Sequence, residues 1–130
     1  MALDIRNTAK GAPRAPFARI ATGILGYSYQ LSLVLCGDML AQKMNATYRR
    51  KTYKPNVLSF PLSKHEGEIF LNLAKAGREA KSEGITLSER VTYLFIHACL
   101  HLKGLPHGTK MDALEVAWMR RSGYPKFTLE

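Results

Sequence analysis

The chain has 130 residues, 46% hydrophobic and 22% charged, and its 19 Lys and Arg against 10 Asp and Glu give a formal charge of +9. Enough apolar mass for one core and only 10 Gly, 6 Pro and 2 Cys make a single domain over residues 1–130 the expectation and exclude collagen-like, low-complexity and disulfide-scaffold chains. Such an excess of positive charge attracts polyanions, which makes nucleic acid or an anionic membrane surface the expected class of partner.

No stretch approaches the roughly 18 uninterrupted apolar residues of a membrane span; Val91 to Leu102 is broken by Thr92, His97 and His101. Met1 to Gly11 has no apolar block of the secretory kind, so a reducing cytoplasm is expected, with Cys36 and Cys99 as free thiols.

In chain order, Ala2 to Arg6 can form a short edge strand. Phe17, Ile20, Ala21, Ile24 and Leu25 fall at helical spacing before Gly26, with Arg14 and Arg19 outside. Tyr27 to Cys36 alternates, with Tyr29, Leu31, Leu33 and Leu35 on one face, and reads as a strand. Gly37 turns the chain and Asp38 is a suitable N-cap for a helix running towards Tyr48. A second strand, Val57 to Leu62, ends at Pro61 and the loop Ser63 to Gly67, and a short third strand covers Ile69 to Leu71. Asn72 starts a helix that stops at Gly84. Thr86 and Glu89 form a capping box for an apolar helix from Leu87 to Lys103, ended by Gly104. Thr109 caps a last helix from about Lys110 to Arg121, in which Met111, Trp118 and Met119 read as packing residues. This order gives an α+β domain: one small mixed sheet with helices mainly on one face, and a candidate metal site at a helix end and the loop that follows.

That site is drawn from three of the four histidines in the chain. His97 and His101 lie four residues apart on one helix, about 40° apart around its axis, with Cβ atoms separated by roughly 5–6 Å. Their apolar surroundings leave little water for the ring nitrogens, and an unpaired buried polar group costs on the order of 1–3 kcal/mol. A metal removes the problem by taking a lone pair from each neutral ring. Such a pair alone is more often an ordinary polar pair at a helix end. Gly104 and Pro106, however, turn the chain so that His107 returns towards it, and three histidines leave coordination positions open for catalysis. A peptidase of the HExxH kind is excluded because Ala98 stands where the general-base glutamate would be. Cys99 lies about 200° around the helix from His97 and reads as a core thiol. His65 reads as an exposed loop residue. Asp112 and Glu115 can approach the site from the last helix, although an acid in a first helical turn explains Asp112 as well.

The run Tyr48-Arg49-Arg50-Lys51-Thr52-Tyr53-Lys54 interleaves four cations with two aromatic rings. Rings stack on bases and cations hold phosphates, so RNA is favoured over a plain solvated face. This block, Asn56-Val57-Leu58-Ser59-Phe60-Pro61 after it, and His97-x-x-x-His101-x-x-Gly104-x-x-His107 together resemble the signatures of the YbeY endoribonucleases and rRNA maturation factors. The resemblance runs from about Leu33 to Val116 and includes Leu40, Asn45, Gly67, Ile69, Asp112 and Ala113.

It implies a mixed sheet with packed helices and metal-dependent cleavage of single-stranded RNA, with roles in small-subunit rRNA 3′-end processing and ribosome quality control. His97, His101 and His107 match the family's metal ligands, usually assigned to zinc, one ion per chain, and Arg49 matches its functional arginine. These four residues are the catalytic candidates, and Arg49, Arg50, Lys51 and Lys54 the candidate RNA contacts. Precursor rRNA and the small ribosomal subunit are the implied partners. The alternative is a ribosome-associated RNA-binding factor with a structural metal. The chain departs from the family pattern at Ala98, at Leu105-Pro106 before the third histidine, at Thr52 and Lys54-Pro55, and at Glu68.

Overall fold

The computed structural model describes residues Met1–Leu129. It runs β1 (Ala2–Asn7), α1 (Phe17–Leu25), β2 (Gln30–Cys36), α2 (Asp38–Arg49), β3 (Val57–Ser63), β4 (Glu66–Asn72), α3 (Leu73–Glu83), α4 (Leu87–Lys103) and α5 (Thr109–Arg121). The strands form one sheet in the order β1-β2-β4-β3; β1, β2 and β4 are parallel and β3 is antiparallel to β4. No helix among the described residues is long and apolar enough to cross a membrane.

The burial pattern of β2 and β4 shows how the two sheet faces differ. Both strands begin with alternating exposure and end fully buried. Leu31, Leu33, Leu35, Ile69 and Leu71 face a large core shared with α1, α3, α4 and α5. On the opposite face Val34, Cys36, Phe70 and Leu58 meet only α2, through Leu40, Ala41 and Met44. Where both faces are covered, strand residues become apolar without a break; where one is open, they alternate.

Helix α4 lies centrally. Val91, Leu94, Phe95, Ile96, Ala98, Cys99 and Leu100 are all buried, and Phe95 meets Phe17 of α1 edge to face at 4.9 Å. Its start follows the expected capping box half-reaction, with the Glu89 amide donating to Thr86 Oγ1 at 3.1 Å. Asn72 likewise caps α3, accepting from the Lys75 amide, while its buried amide nitrogen donates to Asp38 and to the Pro55 carbonyl. Gly67 on β4 is required by packing: a Cβ there would sit 2.4 Å from the Tyr29 hydroxyl and 3.0 Å from Leu102.

Several local expectations change. Asp38 is the first residue of α2 rather than its cap; Gly37 holds the cap position and the Asp38 carboxylate instead receives two bonds from Arg78 at 2.9 Å. Thr109 is likewise the first residue of α5, after Gly108. Pro61 does not end its strand, because β3 is an edge strand and its register shifts between Pro61 and Ser63, which an imino acid tolerates. The third strand begins at Glu66 rather than Ile69, since pairing to β2 and β3 continues through its polar start. The strand expected from Tyr27 begins at Gln30.

Candidate metal centre and nucleic-acid cleft

Tyr93, His97 and His101 repeat at four-residue intervals and form one row along α4. The row is half-buried where the flanking positions are buried. Gly104 then ends the helix at φ 103°, its amide donating to the carbonyls of His101 and Leu100, and the Leu105 amide returns to Leu100. That left-handed turn, open to glycine at little cost, directs the Leu105 carbonyl onto His101 Nδ1 at 3.1 Å. It also brings back His107, whose ring centre lies 4.4 Å from that of His101 and 5.3 Å from that of His97.

The opposite nitrogen of His97 is fixed from α5. Glu115, only 2% exposed, places one carboxylate oxygen 2.5 Å from His97 Nδ1 and accepts from the Tyr93 hydroxyl at 3.3 Å on the other. Burial, with the Glu115 carboxylate beside it, pushes the Tyr93 phenol up to about 12, so it remains a donor. Of the two acids that can approach from α5, Asp112 is exposed and Glu115 reaches the site. A signal for this choice is present in the sequence: Met111, Glu115 and Met119 form an inward row at four-residue spacing, and an acid in such a row needs a polar partner.

These contacts fix one proton on each ring. A carboxylate and a carbonyl only accept, so Nδ1 of both His97 and His101 carries a proton, and in the neutral ring Nε2 is the nitrogen left with a lone pair. His97 Nε2 and His101 Nε2 lie 3.1 Å apart. Two ring nitrogens at that distance share either a proton or a cation between them. Burial and the neighbouring His97 also hold His101 below the usual imidazole range, favouring the neutral ring. One ligand atom from each of His97, His101 and His107 can be chosen so that all lie within 4.8 Å of one another. The donor set therefore fits a divalent metal, and the carboxylate behind His97 matches the outer-shell partners that orient metal-binding imidazoles.

Arg49 enters from the other side. It is the last residue of α2. Its Nη2 donates to the Ser59 carbonyl on β3 at 2.8 Å, and its guanidinium lies 5.3 Å from the Phe60 ring centre. The three histidines, Arg49, Tyr53 and Asn56 share one cleft of about 190 Å³. Ser59 is a site residue that the sequence offers no reason to single out, since it acts through its backbone. Arg50, Lys51 and Lys54 are exposed on the loop that follows and do not line the cleft. That loop hangs on α2: Asn45 donates to the Tyr53 carbonyl, Gln42 to the Thr52 carbonyl, and the Lys51 amide to Asn45. His65 is exposed on the hairpin between β3 and β4, and Cys36 and Cys99 are free and buried. Burial raises both thiols, Cys36 to about 11.

A profile of the family described as Endoribonuclease YbeY matches residues 14–124. The chain belongs to the YbeY family. Proteins named Endoribonuclease YbeY include one from Laribacter hongkongensis, 35% identical over 94% of this chain and 84% of its own length. Another, from Polynucleobacter asymbioticus, is 31% identical over 92% of this chain and 81% of its own. The solution structure of a Thermotoga maritima protein shares the fold, with a TM-score of 0.68 at 19% identity over 92% of this chain and 88% of that one. The YbeY match covers both the cleft-forming end of α2 and the histidine helix and loop, and so spans both walls of the site.

Proposed function

We propose that this chain is a metal-dependent endoribonuclease that cleaves single-stranded RNA, with zinc as its ion. Its site is formed by His97, His101, His107 and Arg49. The observation that carries this reading is the convergence of ligand atoms of His97, His101 and His107 within 4.8 Å of one another in a cleft that also holds an arginine. Family membership supports the endoribonuclease activity, and the net charge supports a polyanionic substrate.

In the mechanism the three histidines would hold the ion, which when bound would supply Lewis-acid polarisation of a phosphate oxygen or a water of lowered pKa. Glu115 and the Leu105 carbonyl keep the protons on Nδ1 of His97 and His101, so that both Nε2 atoms stay free as ligands. The Arg49 guanidinium is anchored by one N–H on Ser59, and its fork of further donors is suited to phosphate oxygens. It stabilises charge that develops at phosphorus. Arg50, Lys51 and Lys54 hold the backbone that flanks the cut, and the exposed rings of Tyr48 and Tyr53 stack on its bases.

The cellular substrate in this reading is precursor rRNA at the 3′ end of the small subunit, in maturation and ribosome quality control. Both rest on the family resemblance, as does contact with the small ribosomal subunit. A cytoplasmic location agrees with the two free cysteines. The test is elemental analysis of the purified protein together with a single-stranded RNA assay with and without chelator. Cleavage that a chelator stops and the metal restores supports the reading. Bound metal with no cleavage would replace it by an RNA-binding factor with a structural ion.

A further inference from the structure

Helices α1 and α5 leave a surface cavity of about 570 Å³ lined by Arg19, Thr22, Gly23, Tyr27, Trp118 and Arg121 among others. Trp118 is the only tryptophan in the chain. It packs against Gly23 so closely that a Cβ there would lie 2.2 Å from the ring, which fixes the indole on α1 while it remains half-buried. The Arg121 guanidinium stands 5.0 Å from its centre. Tyr27 is 84% exposed, more than any other large hydrophobic ring on the described surface. Both arginines are exposed, and no carboxylate lines the cavity.

We infer that this cavity is a second RNA site, in which a base of the strand stacks on Tyr27 and on the Arg121 guanidinium that lies over Trp118, while Arg19 holds a flanking phosphate. It rests on the RNA reading of the histidine cleft and extends it to a remote contact. Two rings beside two unopposed cations are what a sequence-tolerant single-strand site requires, since every base has a π-face and every linkage a charge. An apolar peptide would leave the two guanidinium groups uncompensated, and an acidic one would leave the rings without a matching planar partner. Helix α5 links the sites: it starts two residues after His107, carries Glu115 against His97, and reaches Trp118 one turn later. A strand that leaves the cleft along α5 arrives at the cavity.

The experiment uses the emission of Trp118 as a local reporter. The full chain is titrated, with chelator present, with single-stranded RNA of about 16 and about four nucleotides. The same titration is run on Tyr27→Ala and Arg19→Glu, both changes at exposed positions, and with a base-free polyphosphate. The longer RNA is expected to quench Trp118 and to bind more tightly than the short one. Tyr27→Ala is expected to shrink that advantage by roughly 5- to 100-fold. If the long RNA is bound, and in the presence of metal cleaved, with Trp118 emission and the advantage of length unchanged in the variants, the second site is overturned and the nuclease reading stands. An equal quench by polyphosphate overturns base stacking there. RNA neither bound nor cleaved by any form overturns both readings.

Discussion

Glu115 lies 2.5 Å from Nδ1 of His97, across the interface between α5 and α4. The contact fixes which nitrogen of His97 faces the cleft and binds the last helix to the site. Groups in this position typically shift metal affinity by about 10–100-fold. Glu115→Ala is therefore expected to weaken metal binding at the proposed site by about that factor in a chelator competition, with circular dichroism checking the fold. Glu115→Gln keeps an acceptor oxygen and is expected to fall between. Equal affinity in all three proteins would show that His97 is oriented without the carboxylate.

His101→Ala removes a proposed ligand rather than its support. Metal content and cleavage of single-stranded RNA are both expected to fall, and further than in Glu115→Ala. A folded, metal-free protein that cleaves at the original rate would detach the chemistry from this site.

Arg49→Glu is expected to separate the two walls of the cleft. Loss of a charged donor aimed at a transition state costs about 10²–10³ in kcat, and the reversed charge adds repulsion of phosphate. Metal content should be unchanged, because Arg49 touches Ser59 and Phe60 rather than the histidines. Cleavage at the original rate removes Arg49 from the mechanism.

Gly67→Ala tests the packing beneath β4. The new methyl meets the Tyr29 hydroxyl and Leu102 in a closed part of the core. Overpacking of this kind costs about 1–3 kcal/mol, seen as a drop in Tm of several degrees. Gly77→Ala, where a Cβ meets nothing within 4 Å, serves as the control.

The Asp38 carboxyl is held down to about 2, first by its hydrogen bonds from Arg78 and then by that from Asn72. A lowered pKa means that the unfolded chain binds the proton more readily, so the group stabilises the fold above the ordinary aspartate range near 4. This contribution is lost as pH falls from about 4 towards 2. Urea midpoints of the wild type and Asp38→Asn should differ at pH 6 and converge near pH 2. A gap that persists at pH 2 would assign the effect to packing.

Much of this molecule is legible in its sequence because apolar periodicity, glycine stops and histidine spacing act locally. The limits of α4 follow from Thr86 and Gly104, and the metal row from His97 and His101. What the sequence does not display depends on neighbours distant in the chain. Glu66 to Glu68 join a strand only because β2 and β3 pair on either side. Asp38 leaves its capping role for Arg78, forty residues away. Arg49 is set apart in the sequence only by the family resemblance; why it alone of the four cations lines the cleft, at the end of α2 beside Ser59, shows only in the fold.

The turn after Gly104 divides the proposed metal site into two parts with different consequences. His97 and His101 are carried by the most enclosed helix, while His107 is exposed on a short connection between two glycines of positive φ, Gly104 and Gly108. In the proposed site His107 is therefore the ligand that can detach without disturbing the core. Stiffening residues 104–108 is expected to lengthen the residence time of the ion.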